Sequence, residues 1–179
     1  MLNYENRSPR AREGAEARGQ AFSGRDPLRS PPCYWIDPGL LCFLLGVDDE
    51  RQLQRSPFVG SIFEAFVASE MIKNQMNSGG RRELYFFRDQ QGLEVDFMAP
   101  GSRGGLRLIE VKWSKTIVPA MAKSLVQLRR AIRRRTVECL IVHRAPKHGP
   151  GTSTVAPGVK SWSVEEFLQS YPSALRSGI

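Results

Sequence analysis

The stretch RLIEVKWSK, Arg107 to Lys115, sets an acid and a base, Glu110 and Lys112, two residues apart inside an apolar run. In an extended strand, side chains alternate between faces. Ile109, Val111 and Trp113 therefore share one face, and Glu110 and Lys112 share the other. A strand with two opposite charges on one face, among residues suited to burial, needs neighbours that answer those charges.

The nearest such neighbour is LEVDFMA, 93–99. The same alternation predicts Leu93, Val95 and Phe97 on one face and Glu94 and Asp96 on the other. With ELYFFRD at 83–89 and RLIEVKW at 107–113, these segments predict three strands. The joins, QQG and PGSRGG, suit hairpins, so the three should form an antiparallel meander. If the apolar sets face one helix layer, Asp96, Glu110 and Lys112 gather on neighbouring strands. Residues two apart on a strand lie roughly 6–7 Å apart, and adjacent strands about 4.8 Å. Asp96 and Glu110 can then grip one divalent cation, with Lys112 beside it. Two carboxylates with spare coordination positions suit Mg²⁺, which keeps several waters. Such a site suits phosphodiester hydrolysis, with Lys112 orienting the water or answering charge on the phosphate oxygens. A cross-strand ion pair of Lys112 with Asp96 or Glu110 is the competing reading. It leaves a surplus of acid, which Glu94 enlarges.

Outward from the strands, FVGSIFEAFVASEMIKNQ reads as a long helix with Ile62, Phe63, Phe66, Val67 and Met71 on its buried stripe, closed by Gly79 and Gly80. A second helix is expected over 117–134, seamed by Val118, Met121, Leu125, Leu128 and Ile132. ECLIVHR, 138–144, reads as a strand buried on both faces and parallel to its predecessor. Asp37-Pro38-Gly39 starts a helical turn, with Asp37 as N-cap. Tyr34 to Ile36 is expected as a short strand or extended arm, DDERQLQRSP as a polar linker and KHGPGTSTVAPG as a loop. SVEEFLQSY closes the chain as a short helix capped by Ser163. The fold class is α/β, an αβββαβ order with a mixed central sheet flanked by helices.

The chain has 179 residues, a net charge of +8 and a sequence pI near 9.9, a balance that favours an acidic partner such as nucleic acid. Residues 1–32 are rich in Arg, Ser, Pro and Gly and predict a disordered basic tail. One α/β domain is expected over 33–179, with its core at about 58–144. Cys33, Cys42 and Cys139 lack metal-type spacing and fit a reducing compartment. The longest apolar stretch, GLLCFLLGV, is about half of what a spanning helix needs. No membrane contact is expected, and the cytoplasm is the expected location.

GLEVDF followed by IEVKW resembles the D…(D/E)-x-K signature of the PD-(D/E)XK nuclease superfamily. More narrowly, YWIDPGLLCFLLG, GSIFEAFVASEMI, LYFFRDQQGLEVDF and LIEVKWSK resemble the C-terminal domain of a large prokaryotic family of AAA-type ATPases. There a nuclease-like domain follows the ATPase and winged-helix parts. The resemblance implies a restriction-endonuclease-like core and Mg²⁺ or Mn²⁺ as cofactor. It implies Asp96 and Glu110 as metal ligands, Glu64 as the helix acid that completes the site, and Lys112 as the catalytic lysine. Val95 stands where the superfamily nominally has proline. DNA is the implied partner, with Arg129, Arg130, Arg133, Arg134 and Arg135 against its backbone. The sequence contains no G-x-x-x-x-G-K-[ST] loop, so an ATPase partner would act in trans.

Weaker candidates have plainer readings. Glu70 is expected to pair with Arg88, Gln127 to face solvent, Trp113 to pack in the core, and His143 and His148 to be structural or loop-borne. Besides a nuclease, the sequence fits a catalytically inactive module that binds nucleic acid or protein, or a truncated remnant of an AAA-type ATPase.

Overall fold

A computed structural model describes residues 34–145 and 151–176. The tail expected over 1–32, Cys33 and His148 lie outside the described residues. Among the described residues, no helix is long and apolar enough to cross a membrane.

Helix α1 (Pro38–Leu44) begins as its sequence dictates: the extended Asp37 accepts the Leu40 N–H at 3.1 Å, with Pro38 in the first turn. The expected linker contains a short helix, α2 (Glu50–Arg55). The Asp49 carboxylate accepts the Gln52 N–H, and the Gln52 side chain accepts the Asp48 N–H, both at 2.8 Å. These reciprocal bonds satisfy the first turn of a polar segment that has no apolar periodicity to announce it. Helix α3 (Val59–Asn77) buries Ile62, Phe63, Val67 and Met71. It ends where Gly79 adopts φ +72°, and the Gly79 and Gly80 N–H groups return to the carbonyls of Met76 and Gln75. That is the paired-bond closure a left-handed glycine permits.

The strands are β1 (Tyr85–Arg88), β2 (Glu94–Pro100), β3 (Leu106–Lys112), β4 (Val137–His143), β5 (Thr152–Ala156) and β6 (Val159–Ser163). They form one mixed sheet ordered β1-β2-β3-β4-β6-β5. The β1–β2–β3 meander is antiparallel, and β4 is parallel to β3 and to β6. The expected loop at 147–158 is corrected: its second half is β5, antiparallel to β6. The intervening Pro157-Gly158, with Gly158 at φ +74°, is a turn rather than a loop signal.

The helix expected over 117–134 is shorter. A 3-10 turn at Pro119–Ala122 leads into α4 (Lys123–Ala131), and Ile132 is already extended. Continuing would stack Arg129 on Arg133 and Arg130 on Arg134, like charges one turn apart. Helix α5 (Val164–Arg176) follows β6, and the Ser163 hydroxyl accepts the Glu166 N–H at 3.3 Å.

Two cores sandwich the sheet. On one face α3 and α5 cover Phe97, Ile109, Val111, Leu140 and Val142. On the other α4 covers Val95, Leu108, Cys139, Ile141 and Val159. The expectation that Val95 and Phe97 share a face is therefore corrected: they are two apart yet lie in opposite cores. The cause is a bulge. Tyr85 pairs with Met98 and Phe87 with Val95, so two steps on β1 oppose three on β2. The extra residue falls within Val95–Met98, and Asp96 stands between the two residues that change sides.

Phe97 is 1% exposed and Phe43 is 73% exposed. Urea denaturation is expected to show a loss of about 3–5 kcal/mol for Phe97→Ala. Phe43→Ala should stay within about 0.5 kcal/mol. Equal losses would contradict this assignment of the core.

Candidate carboxylate and lysine site

The backbone ladder between β2 and β3 runs from Pro100↔Leu106 to Phe97↔Ile109 and stops there. The next residues are Asp96 and Glu110. In place of a backbone carbonyl, the Asp96 carboxylate accepts the Val111 N–H at 2.7 Å. The bulge and this bond bind Asp96 to β3 at the point where the ladder ends.

Glu110 and Lys112 alternate with Ile109 and Val111, so they lie on the α4 face; Glu110 stands beside Ile141 of β4. Lys112 Nζ lies 2.6 Å from Glu110 Oε1. Glu110 is 8% exposed, and its Oε2 is buried with no hydrogen-bond partner among the described residues. A buried acceptor left in that state is costly unless something else answers it.

The electrostatics follow from this crowding. Burial raises the Glu110 pKa to about 7, aided by Asp96, although the Lys112 ammonium pulls it down. Glu64, on α3, also rises to about 7, through burial first and then Asp96, with Lys112 opposing. Asp96 is raised too, by burial, against the lowering effect of the Val111 N–H and Lys112. Lys112 is the reverse case. Burial disfavours its charge, but the bond to Glu110 and the fields of Glu110, Asp96 and Glu64 together hold its pKa above the ordinary value. An isolated ion pair would lower its acid partner. Here the acid rises because three carboxylates face one ammonium in a desolvated space.

The four residues singled out from sequence thus share one electrostatic neighbourhood. They do not form a three-ligand cage: among the described residues, no group of three or more His, Cys, Asp or Glu side chains could hold a metal ion. The orphaned Glu110 Oε2 and the surplus of negative charge nevertheless fit a cation at Asp96 and Glu110. Mg²⁺ is commonly held by one or two carboxylates with water completing its shell.

Other expectations fare differently. Glu70 pairs with Lys73 at 2.8 Å, and Arg88 pairs with Glu94 at 2.5 Å, so the expected Glu70–Arg88 pair does not form. Arg88 was drawn away because its strand partner in register is Glu94. Trp113 packs edge-on to Phe63 at 5.2 Å with the Arg144 guanidinium 4.0 Å above it. Gln127 is exposed, and His143 is buried with Nδ1 at the Arg144 carbonyl. Arg130, Arg133, Arg134 and Arg135 are exposed. Arg129 is not part of that surface. Its guanidinium lies against Gly158, so close that a Cβ there would come within 1.6 Å of Nη1. Sequence reasoning missed Tyr34, whose ring approaches Phe97 with centroids 5.2 Å apart. Its distance in sequence from Asp96, across three helices and a strand, left no local signal.

The class is therefore an α/β domain with carboxylates and a lysine gathered where two strands part. The chain belongs to the family described as Domain of unknown function (DUF4143), whose model matches residues 59–156. It is 36% identical over 102 residues to uncharacterized proteins of Mycobacterium bovis and Mycobacterium tuberculosis. That alignment covers 57% of this chain and 22% of either relative, so the chain spans about a fifth of their length. Among solved structures, a chain of the Thermococcus gammatolerans assembly of McrB AAA+ hexamers with bound McrC aligns with a TM-score of 0.41 and 11% identity. That alignment covers 65% of this chain and 32% of that one.

Between the ordinary glutamate value of 4.5 and about 7, folded Glu64 and Glu110 hold protons that the unfolded chain has released. Stability contributed in this way is complete below 4.5 and is lost as pH rises toward 7. With a chelator present, the melting temperature is expected to fall between pH 5 and pH 7.5. Glu110→Gln should flatten that slope and raise the pH 7.5 value by roughly 2–4 °C, the scale of a 1 kcal/mol change in a domain of this size. A wild-type melting temperature that climbs over this range would contradict the assigned burial.

Proposed function

We propose that this domain is a PD-(D/E)XK-type nuclease module that hydrolyses DNA phosphodiesters with Mg²⁺ or Mn²⁺, on a restriction-endonuclease-like core. The observation that carries the reading is the buried Glu110 Oε2, without a partner among the described residues, in the field of Asp96 and with Lys112 alongside. Asp96 and Glu110 would hold the cation, with Glu64 as the helix acid that completes the site. When bound, the cation supplies a water of lowered pKa and positive charge against the phosphate. Lys112, kept protonated by its acidic neighbours, donates hydrogen bonds to the phosphoryl oxygens or to the attacking water. It is poorly suited to act as base. Glu64, poised near neutrality, can take and release a proton at physiological pH. The exposed Arg130, Arg133 and Arg134 would contact the phosphate backbone. An ATPase acting in trans is proposed from the resemblance of motifs alone.

A second reading, an inactive binding or regulatory module, is favoured by one observation: the Lys112 ammonium is already bonded to Glu110 Oε1 at 2.6 Å. Calorimetric titration of Mn²⁺ and cleavage of linear plasmid DNA separate the two. The nuclease reading expects Mn²⁺ binding that Asp96→Asn abolishes, and cleavage that Lys112→Ala slows by about 100-fold or more. Salt-dependent DNA binding with neither property supports the binding module. In either case, removing Arg130, Arg133 and Arg134 together should reduce the slope of log affinity against log salt by about 2–3. An unchanged slope would remove these arginines from the interface.

A further inference from the structure

A second cleft lies away from the carboxylates, at the end of the sheet where β3 and β4 begin. It has a volume of about 350 Å³, and its lining includes Arg107, Arg129, Glu138, Leu140, Lys160 and Trp162. That volume is at the low end of the range for small-molecule pockets. Arg107 pairs in register with Glu138, Leu140 with Lys160, and Val142 with Trp162. These side chains therefore share the face that α3 and α5 cover, the one that carries Leu140 and Val142. Glu110 and Lys112 lie on the other face, toward the far end of β3. Arg129 belongs to α4, on that other face, and reaches the cleft at Gly158. Its guanidinium takes the space that a side chain would fill there, since a Cβ would lie 1.6 Å from Nη1.

The charges lining this cleft do not balance. Arg107 donates to Glu138 Oε2 from Nε at 2.9 Å and from Nη2 at 2.7 Å, so that cation is answered. Among the described residues, Arg129 and Lys160 form no ion pair. Lys160 is exposed, but Arg129 is half-buried, where water answers a charge less well. Two cations are thus left over beside the apolar Leu140 and an indole. A carboxylate would answer one of them. A phosphomonoester, with a charge of about −1.5 to −2 at neutral pH, answers both.

We propose that this cleft binds a phosphomonoester with a planar, largely apolar body, of the nucleoside monophosphate class. The phosphate sits between the Arg129 guanidinium and the Lys160 ammonium, and the body lies against Leu140 and Trp162. The site uses no residue of the carboxylate cluster and stands whether or not the nuclease reading does.

The test titrates the full chain with adenosine 5′-monophosphate, adenosine and inorganic phosphate, and follows ¹⁵N–¹H spectra. EDTA is present, so that no cation bridges phosphate to the carboxylates. The monophosphate is expected to move the Trp162 indole N–H signal, assigned by its loss in Trp162→Phe, and to leave that of Trp113 in place. Arg129→Gln and Lys160→Gln should each weaken the monophosphate about tenfold or more, the scale of a hydrogen bond to a charged group. Adenosine and inorganic phosphate should each bind at least about tenfold more weakly than the monophosphate. Because Lys160 is exposed, Lys160→Gln should melt as wild type does and keeps the test decisive if Arg129→Gln does not fold. Unchanged affinity in Lys160→Gln, or shifts that spare Trp162, overturns the proposal. Adenosine or inorganic phosphate binding as tightly as the monophosphate overturns the ligand class. Free nucleotides and the 5′ ends of nucleic-acid strands share this group. A 5′-phosphorylated oligonucleotide that does not displace the monophosphate assigns the cleft to free nucleotides, and one that displaces it only when phosphorylated assigns it to strand ends.

Discussion

The structure depends on a hydrogen bond that replaces a missing one. Where β2 and β3 part, the Val111 N–H is satisfied by the Asp96 carboxylate instead of a strand carbonyl. A buried N–H must find a partner, and a strand that leaves the ladder early must supply one from a side chain. That requirement ties Asp96 to β3 while the bulge turns Val95 and Phe97 into opposite cores. The same device makes the site and ends the β2–β3 ladder.

The accumulation of charge follows from that junction. Phe97, Ile109 and Val111 on one side, and Val95, Leu108 and Ile141 on the other, exclude water from the strand ends. The carboxylates between them therefore cannot rely on solvent. Lys112 answers one oxygen of Glu110, and the remaining negative charge is held partly as bound protons at neutral pH. Proton occupancy and cation occupancy are alternatives for such a group, because each supplies the positive charge that burial has removed. Arg88 with Glu94 and Arg107 with Glu138 show the ordinary solution elsewhere in the sheet, one cation for one acid in register. The contrast sets the Asp96–Glu110 pair apart.

The sequence was legible where side chains repeat. Alternation in LEVDFMA and RLIEVKW predicted the strands, and the 3.6-residue spacing from Ile62 to Met71 predicted α3. Asp37, Gly79, Gly80 and Ser163 marked helix ends by chemistry that needs no distant partner. The strand β5 was hidden because Gly and Pro surround it and its threonines and serines are polar. Helix α2 was hidden because it buries no apolar face. Arg129 looked like its neighbours because one-dimensional sequence does not show Gly158, which has no side chain to keep a guanidinium away.

By itself the sequence determined that an acid from each of two neighbouring strands and a lysine would come near one another, since pleating and hairpin connection are local properties. It could not determine that a bulge moves Val95 to the face opposite Phe97, that Oε2 of Glu110 is left without a partner among the described residues, or that Tyr34 packs on Phe97. Each of these is decided by packing between segments far apart in the chain, where the layer that covers a residue, and not its neighbours in sequence, fixes what its polar atoms can reach.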